Sequence, residues 1–529
     1  MHEDALDFQF ELARRHAEGI GVEKDIVKAS ELYRKAAQQG HSNAQYELGN
    51  CYISGTGVEK DEVEAAQWYR MAAEQDHTEA QFELGMSYIC GLGIEKNDTE
   101  AVHWYRKAAD QGHSDAQYML GICCIEGVGG EKDAIESVRW YRRAVEQENT
   151  DAQYELGNCY LNGWGVEKDE GEAVEWYRKA ADQGHAEAQY QLAECFLYGN
   201  GVGEDDSLAF EWLQKSADQN NANAQYVLGR CYFNGWGVEE DEEEAVEWFR
   251  KAVEQENAGA QYELAECRFN GRGVEKDEAE AVHFYRKAAD QGHAEAQYKL
   301  AKCFFYGDGV GEDESLAFEW FQKSADQNNV NAQYALGRCY FDGWGVEEDE
   351  EEAFAWYRKA ANQDHGEAQK SLADCYNSGE GVEKDFEKAF HWYGKSAEQG
   401  LAEAQNSLGC YYYNGKRVEI NFEKAVHWFK KAALQNDFYA LSNLGLCYQS
   451  GLDVEEDKIE AYAYFNLAGV KDKNAREKRD GLEKDMDMEQ IIAAQKRTKE
   501  LKVELLASED SPTQSQDKTE DDESDDLKI

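Results

Sequence analysis

The chain has 529 residues, 42% of them hydrophobic, and a net charge of -53, so it can bury a core while presenting an acidic surface. Such a surface repels nucleic-acid phosphates and anionic lipids, which argues against both as partners, whereas it suits a basic partner or serves solubility. The N-terminal residues do not combine a basic segment with a following apolar run, so no signal peptide is predicted. No apolar stretch is long enough to predict a membrane span.

One motif recurs along most of the chain at a fixed interval of 36 residues. Its anchor is an Ala-Gln pair, and the anchor alanines are Ala44, Ala80, Ala116, Ala152, Ala188, Ala224, Ala260, Ala296, Ala332, Ala368 and Ala404. Phe8-Gln9 stands one step earlier and Ala440-Leu441 one step later, which makes 13 repeats from Phe8 to about Ala475. A period of about 20 to 50 residues is typical of a solenoid of stacked supersecondary units.

The chain begins with a polar leader, residues 1–7, and an atypical first repeat. In that repeat Arg14 and Arg15 replace the cysteine and its neighbour of later copies, as expected for an end repeat with one solvated face.

Each repeat predicts two helices, which we name the A helix and the B helix. In the copy that starts at Ala152, small and apolar residues of the A helix recur at helical spacing, and Gly163 is placed to end it in a left-handed conformation. Asp169 can cap the B helix, whose predicted buried face includes Trp176 and Tyr177. Two blocks, 188–223 and 296–331, are identical at 29 of 36 positions, and 224–259 closely matches 332–367, which indicates an internal duplication. We call residues 188–367 the duplicated region.

The pattern A-x-A-Q-Y-x-L-G…Y…G-x-G-V…D…A…W-Y-x-K-A-A resembles the Sel-1-like repeat family, a relative of the tetratricopeptide repeats. The resemblance implies an all-α protein, a right-handed α/α solenoid of 13 helix-turn-helix repeats over residues 8–475, used as a protein-binding adaptor. Residues 476–506 resemble the terminal helices of bacterial members and are expected to form a helical cap. The acidic tail, residues 507–529, is expected to be disordered.

Ten of the 13 cysteines occupy one repeat position, seven residues after the anchor. Neighbouring copies would lie about 9 Å apart, too far for a disulfide, so the sequence predicts buried, reduced thiols and a cytoplasmic protein. Three cysteines lie elsewhere and are expected to be the accessible ones: Cys90, Cys124 and Cys410.

Two positions of the A helix are candidates for partner binding, because the A helices are expected to line the concave face. The first, two residues after the anchor, is a nearly constant aromatic row: Tyr46, Phe82, Tyr118, Tyr154, Tyr190, Tyr226, Tyr262, Tyr298 and Tyr334. The second, six residues after the anchor, changes in nearly every copy: Asn50, Met86, Ile122, Asn158, Glu194, Arg230, Glu266, Lys302, Arg338, Asp374, Cys410 and Leu446. We call it the variable position; its residues are either free to contact a partner or simply solvated.

Other polar residues favour structural roles. The anchor glutamines are placed to bond backbone groups of a neighbouring turn. The histidines occupy turns and B-helix surfaces without metal-ligand spacing, and no serine or cysteine stands beside a paired base, so the sequence predicts no metal, no cofactor and no catalytic residue.

The sequence therefore favours a monomeric, non-catalytic scaffold that binds a protein or peptide, one that could carry basic segments. The binding residues are predicted to be Tyr190, Glu194, Tyr226, Arg230, Tyr262, Glu266, Tyr298, Lys302, Tyr334 and Arg338. Two alternatives stay open. One, which follows from the resemblance, is a β-lactamase-like or penicillin-binding hydrolase of the cysteine-rich branch. Members of that branch are secreted and pair two cysteines per repeat, whereas this chain has one cysteine per repeat and no export signal is visible. The other, independent of the resemblance, is a secreted effector that acts in a host cell and is exported by a route that the sequence does not show.

Overall fold

The computed structural model describes residues 2–509, with side chains from residue 6 to residue 506, and this part of the chain contains 28 α-helices and no β-strand. The predicted all-α repeat fold is confirmed. The A helices are α1 (His2–Glu18), α3 (Ser42–Ser54), α5 (Thr78–Cys90), α7 (Ser114–Glu126), α9 (Thr150–Asn162), α11 (Ala186–Tyr198), α13 (Ala222–Asn234), α15 (Ala258–Asn270), α17 (Ala294–Tyr306), α19 (Val330–Asp342), α21 (Gly366–Ser378), α23 (Ala402–Asn414) and α25 (Phe438–Ser450).

A B helix follows each A helix, and two further helices follow the last repeat. The B helices are α2 (Ile26–Ala37), α4 (Glu62–Ala73), α6 (Asp98–Asp110), α8 (Ala134–Val145), α10 (Glu170–Asp182), α12 (Asp206–Asp218), α14 (Glu242–Glu254), α16 (Glu278–Asp290), α18 (Glu314–Asp326), α20 (Glu350–Ala361), α22 (Phe386–Glu398), α24 (Phe422–Ala433) and α26 (Lys458–Ala468). The final pair is α27 (Lys473–Glu483) and α28 (Met488–Glu509).

The helix ends are set by local sequence, as the repeat α9–α10 shows. Asn149 caps α9, because its side-chain oxygen accepts a hydrogen bond from the Ala152 amide at 2.8 Å. Gly163 ends the helix with a left-handed φ of 73°, which glycine adopts without a steric penalty. Asp169 caps α10 by accepting from the Glu172 amide at 3.0 Å. Each repeat is therefore a helical hairpin with encoded boundaries.

The core of each repeat lies between its A and B helices. In α9 and α10 the side chains of Ala152, Leu156 and Tyr177 are fully buried. Gly157 makes room for the tyrosine, since a Cβ atom there would lie 2.6 Å from Cε1 of Tyr177. The neighbouring Trp176 is partly exposed, so the tyrosine is the deeper of the two B-helix aromatics.

The chain divides into two compact units. Unit 1 comprises residues 1–267 and 271–275, and unit 2 comprises residues 268–270 and 276–529. Within each unit the repeats contribute alanine, leucine and aromatic side chains to a series of buried clusters.

The two ends of the described chain differ in how they close the repeats. α1 begins at His2, so residues 2–7, expected as a polar leader, belong to the first helix. At the other end Ala475 of α27 and Leu501 of α28 are buried in the same cluster as Phe465 of the last repeat. The predicted disordered tail lies outside the described residues from residue 510 onward.

The cysteine row is largely internal. Nine of its ten members are buried, whereas Cys51 is partly exposed. Of the three cysteines outside the row, Cys90 is exposed and Cys410 is partly exposed, but Cys124 retains only 8% exposure. The expectation that Cys124 is accessible is therefore wrong, since its thiol is directed into the cluster that contains Leu120 and Trp140.

Candidate interaction surface

The aromatic row of the A helices packs across the junction between repeats. The Tyr46 ring stacks on His77 of the next repeat at a centroid distance of 4.9 Å and lies 6.0 Å from Tyr69 of its own B helix. Tyr334 makes the corresponding contact with His365 at 4.8 Å. These rings are partly buried, so part of each ring is used for packing and the rest is open to solvent.

The variable position is tied to the B helix in several repeats. The Tyr177 hydroxyl donates to Oδ1 of Asn158 at 2.7 Å, and the Tyr69 hydroxyl donates to Oδ1 of Asn50 at 2.8 Å. The Tyr393 hydroxyl makes the same bond to an Asp374 carboxylate oxygen. In these repeats the variable residue is therefore neither simply solvated nor wholly free to contact a partner.

The duplicated region lacks this tie in three of its repeats. Where tyrosine would donate, the B helix carries Leu213, Phe249 or Phe321, none of which has a hydroxyl. The variable residues of these repeats are Glu194, Arg230 and Lys302, respectively, and each is partly exposed. The B helix therefore supplies no hydroxyl to these side chains, an exchange visible in the sequence that also occurs at Phe429 and Phe465.

In unit 1 the first predicted contact pair is Tyr190 and Glu194. The Tyr190 hydroxyl donates to Oε1 of Glu194 at 2.6 Å. Burial and this hydrogen bond both raise the pKa of Tyr190, and burial raises the pKa of the Glu194 carboxyl. Tyr262 and Glu266, on α15, are also partly buried.

A second group in unit 1 centres on Arg230. Its guanidinium carbon lies 6.0 Å from the ring centroid of Tyr226 and 5.1 Å from that of Trp236. Its Nε is 3.9 Å from Oε1 of Glu263 in the next repeat, a long contact for an ion pair. Arg230 is thus held mainly by aromatic faces, and Trp236, in the loop after the A helix, is a contact that the sequence interpretation missed.

Unit 2 repeats part of this arrangement. The Arg338 guanidinium carbon lies 4.5 Å from the Trp344 centroid, and its Nη2 is 3.4 Å from Oδ2 of Asp342. Arg338 therefore pairs within its own repeat. Lys302 differs: its Nζ is 6.0 Å from the Tyr298 centroid, and it forms no ion pair with any residue that the structure describes. The adjacent tyrosine, Tyr334, is partly buried beside Arg338.

The anchor glutamines and turn histidines have structural roles. Nε2 of Gln45 donates to the Ala37 carbonyl at 3.1 Å, and its Oε1 accepts from Nε2 of Gln75 at 2.6 Å. Nδ1 of His185 accepts from the Ala188 amide at 3.1 Å and caps α11. Both predicted structural roles agree with this geometry.

The described residues form a surface for contacts and no group that could hold a metal ion. Between residues 2 and 509, no group of histidine, cysteine or acidic side chains is placed to hold a metal ion. None of the helices in that range combines the length and apolar character needed to cross a membrane.

The Sel1 repeat profile matches this chain 13 times. The matched segments are residues 6–41, 42–77, 78–113, 114–149, 150–185, 186–221, 222–257, 258–293, 294–329, 330–365, 366–401, 402–437 and 438–469.

The chain belongs to the Sel1 repeat family.

Solved structures of Sel1 repeat proteins resemble it. One is c5321, described as a protective antigen present in uropathogenic Escherichia coli strains displaying an SLR fold. It is 35% identical over 89% of this chain and 94% of its own, with a TM-score of 0.64. Another is a Sel1 repeat protein from Oxalobacter formigenes, 33% identical over 58% of this chain and 88% of its own, with a TM-score of 0.45. The comparison with curated protein sequences found no match. The Sel1 repeat fold is a scaffold that generally mediates protein interactions and is typically non-catalytic.

Proposed function

We propose that this protein is a non-catalytic scaffold that binds a partner protein or peptide on the A-helix face, expected to be the concave face, of its duplicated repeats. The observation that carries the proposal is the release of the variable position from the B helix at Glu194, Arg230 and Lys302. Arg230 is held mainly by aromatic faces and Lys302 forms no ion pair with a residue that the structure describes, so both can reach a ligand, whereas Glu194 accepts a hydrogen bond from Tyr190. Aromatic and arginine side chains commonly dominate the energetics of protein interfaces.

Each unit would contribute its own contacts. In unit 1 they are Tyr190, Glu194, Tyr226, Arg230, Tyr262 and Glu266; in unit 2 they are Tyr298, Lys302, Tyr334 and Arg338. Arg230 and Lys302 are the stronger basic candidates, because Arg338 already pairs with Asp342. The basic residues would set register by pairing with carboxylates of the partner.

The test is quantitative affinity capture from native lysate with three forms of the full chain. The first is the wild type, and the second is Arg230→Glu/Lys302→Glu/Arg338→Glu. The third is Lys60→Glu/Lys168→Glu/Lys276→Glu, an equal charge reversal in exposed loops, where other repeats already carry glutamate, as at Glu240. A partner bound by the wild type and the loop variant and lost by the A-helix variant supports the proposal. Equal capture by all three, with unchanged circular dichroism, contradicts it.

We also propose a cytoplasmic location, supported by 13 free cysteines, nearly all of them in a packing role. The likeness to a protein described as a protective antigen favours a second candidate, contact with a host. Cell fractionation followed by protease treatment of intact cells separates the two: a protease-resistant protein in the cytosolic fraction supports the first, and a secreted or protease-sensitive one supports the second.

A further inference from the structure

The A helices that precede the duplicated region share a charge pattern, although α11, α23 and α25 also lack lysine and arginine. Helices α3, α5, α7 and α9 contain no lysine or arginine. Three of them carry glutamate at the same place, three residues after the anchor: Glu47, Glu83 and Glu155. In contrast, α13, α17 and α19 contain basic residues at the variable position. Four consecutive A helices are thus without basic residues, whereas three of the next five contain one at the variable position.

The three glutamates are partly buried, and the charge of His185 acts on Glu155. Burial raises the pKa of all three carboxyl groups above their ordinary value. Asn50 donates to Oε2 of Glu47 at 3.4 Å, and Asn158 donates to Oε2 of Glu155 at 3.2 Å. No lysine or arginine in the described part of the chain forms an ion pair with any of them. A partly desolvated carboxylate without a counter-ion costs free energy.

Carboxylates at the start of the B helices of the same repeats do have cationic partners. There, Lys60 pairs with Glu62 at 3.0 Å, and Lys168 pairs with Glu170 at 2.8 Å. In these repeats the lysines therefore pair with B-helix carboxylates whose side chains keep 39% and 40% of their exposure, whereas Glu47, Glu83 and Glu155, whose pKa values burial raises, pair with no lysine. Solubility alone does not explain this distribution, because hydrated surface carboxylates provide it without a desolvation cost.

Aromatic rings lie beside these carboxylates. The charge of Glu83 contributes to the raised pKa values of Tyr46 and Tyr69, and the charge of Glu155 contributes to those of Tyr118 and Tyr141. Glu83 and Glu155 thus each act on two tyrosines of the preceding repeat, and Glu47 acts on Tyr33. A carboxylate next to an aromatic ring is the combination that binds an ammonium or guanidinium group, through a charge-assisted hydrogen bond and a cation–π contact.

We propose that the solvent-accessible side of α3, α5, α7 and α9 that carries these glutamates is a second interaction surface, which we call the anionic face. It binds an extended, lysine- or arginine-containing segment of a partner protein, with cationic side chains at Glu47, Glu83 and Glu155. This surface lies outside the residues assigned to partner binding above and does not depend on that assignment. The partner's positive charge matches a face without basic residues, which favours specificity and rapid association.

The repeat geometry sets the spacing of the ligand's charges. Neighbouring packed helices lie about 8–10 Å apart, and an extended chain advances about 3.3 Å per residue, so successive repeats are matched by side chains about three residues apart. Met119 occupies the glutamate position of α7, so the step between Glu83 and Glu155 spans two repeats. The fitting segment therefore has two basic residues about three positions apart and a third about six positions further along.

The test uses two fluorescent peptides and three forms of the full chain. One peptide carries three lysines at the spacing just given, and the other has the same composition with the lysines contiguous. The face variant is Glu47→Gln/Glu83→Gln/Glu155→Gln. The matched control, Glu59→Gln/Glu95→Gln/Glu167→Gln, removes equal charge from exposed loop positions in the same three repeats. Fluorescence anisotropy measures the affinities, and circular dichroism melting confirms that each variant folds.

We expect the wild type and the loop control to bind the spaced peptide within about twofold of each other, and the face variant to bind it at least about tenfold more weakly. The contiguous peptide is expected to bind the wild type more weakly than the spaced one. No binding of the spaced peptide by the wild type, an equal loss in the two variants, or equal affinity for the two peptides overturns the proposal.

Discussion

The Tyr177 hydroxyl on α10 donates a hydrogen bond to Oδ1 of Asn158 on α9 at 2.7 Å. This bond joins the B helix to the variable position of the A helix, and the bonds of Tyr69 and Tyr393 repeat it. The identity of the variable residue is therefore linked to the aromatic residue that lies 19 positions later in the same repeat.

Removal of this hydroxyl gives the first prediction. Tyr177→Phe is expected to lower the free energy of unfolding by about 1 kcal/mol, because Asn158 loses its donor. Tyr105→Phe is the matched control and is expected to cost less, since the Tyr105 hydroxyl donates only to the Met86 sulfur, at 3.0 Å. Urea unfolding of Tyr177→Phe, Asn158→Ala and the double variant gives the coupling energy, and strictly additive effects would contradict the assigned bond.

A B-helix tryptophan is expected to contribute far more. Trp248 is only 6% exposed, and Nζ of Lys251 lies 3.3 Å from its ring centroid. Trp248→Ala opens a cavity and is expected to cost about 3–5 kcal/mol. Trp164→Ala is the control, because Trp164 is 47% exposed and its loss leaves no enclosed cavity. Similar urea midpoints for the two variants would show that Trp248 does not fill the core.

The cysteines predict a graded reactivity in thiol labelling of the native protein. Cys90 is exposed and is expected to react first, followed slowly by Cys51 and Cys410. Burial raises the pKa of Cys159 and of Cys231 to about 12, so these thiols remain protonated and inaccessible. Mass spectrometry after brief labelling should find one modification in the wild type and none in Cys90→Ser. Early labelling of Cys159 would contradict the assigned burial.

The turn histidines predict a loss of stability in mild acid. Nδ1 of His77 accepts from the Ala80 amide at 3.2 Å, although Nδ1 also lies 3.3 Å from Oε2 of Glu79. Burial lowers the pKa of His77, and likewise that of His293, whose Nδ1 caps α17. Protonation at Nδ1 removes the acceptor. The lowered pKa means that the unfolded state binds protons first, so stability is complete above about pH 6.5 and falls as the pH decreases through the folded pKa.

The matched change for this prediction is His77→Asn/His293→Asn, because asparagine caps the same position elsewhere, as Asn149 does for α9. We expect the difference in thermal midpoint between variant and wild type to shift in favour of the variant as the pH falls from 7.5 to 5.5. Comparison of the two proteins is needed because Glu47 and Glu83 have raised pKa values, and their protonation contributes in the opposite direction. A difference that stays constant with pH would contradict the prediction.

The sequence predicted the fold well, because its signals are local and repeated. Gly163 requires a left-handed φ, Asp169 caps a helix, and the periodic alanines and leucines fix the buried faces. The partners of the variable position could not be predicted in the same way, because the direction of a side chain depends on two helices packing together. The sequence does show that Phe249 replaces Tyr177 at the same position of another repeat, and this exchange indicates where the hydroxyl donor is missing.

The candidate site was predicted less completely. Arg230 and Lys302 were identified as basic residues in an acidic chain, but the packing of Arg230 on Trp236 depends on the fold of a loop. Cys124 follows the cysteine row in sequence and was expected to be accessible, yet the turn of α7 directs it into the core. Contacts that require a loop or a second helix are those that residue spacing alone does not specify.

The hydrogen bonds of the anchor glutamines affect how such a protein can gain repeats during evolution. Gln45 bonds to the carbonyl of Ala37 at the end of the preceding repeat and to Gln75 within its own. Gln189 makes the same two bonds, with Ala181 and Gln219. Each repeat thus offers its successor's glutamine Nε2 the same carbonyl acceptor, and it satisfies the Oε1 of its own glutamine internally. Recombination that adds or removes whole 36-residue segments re-forms these bonds at the new junction, so the gene could lengthen by duplication without a buried amide left unpaired.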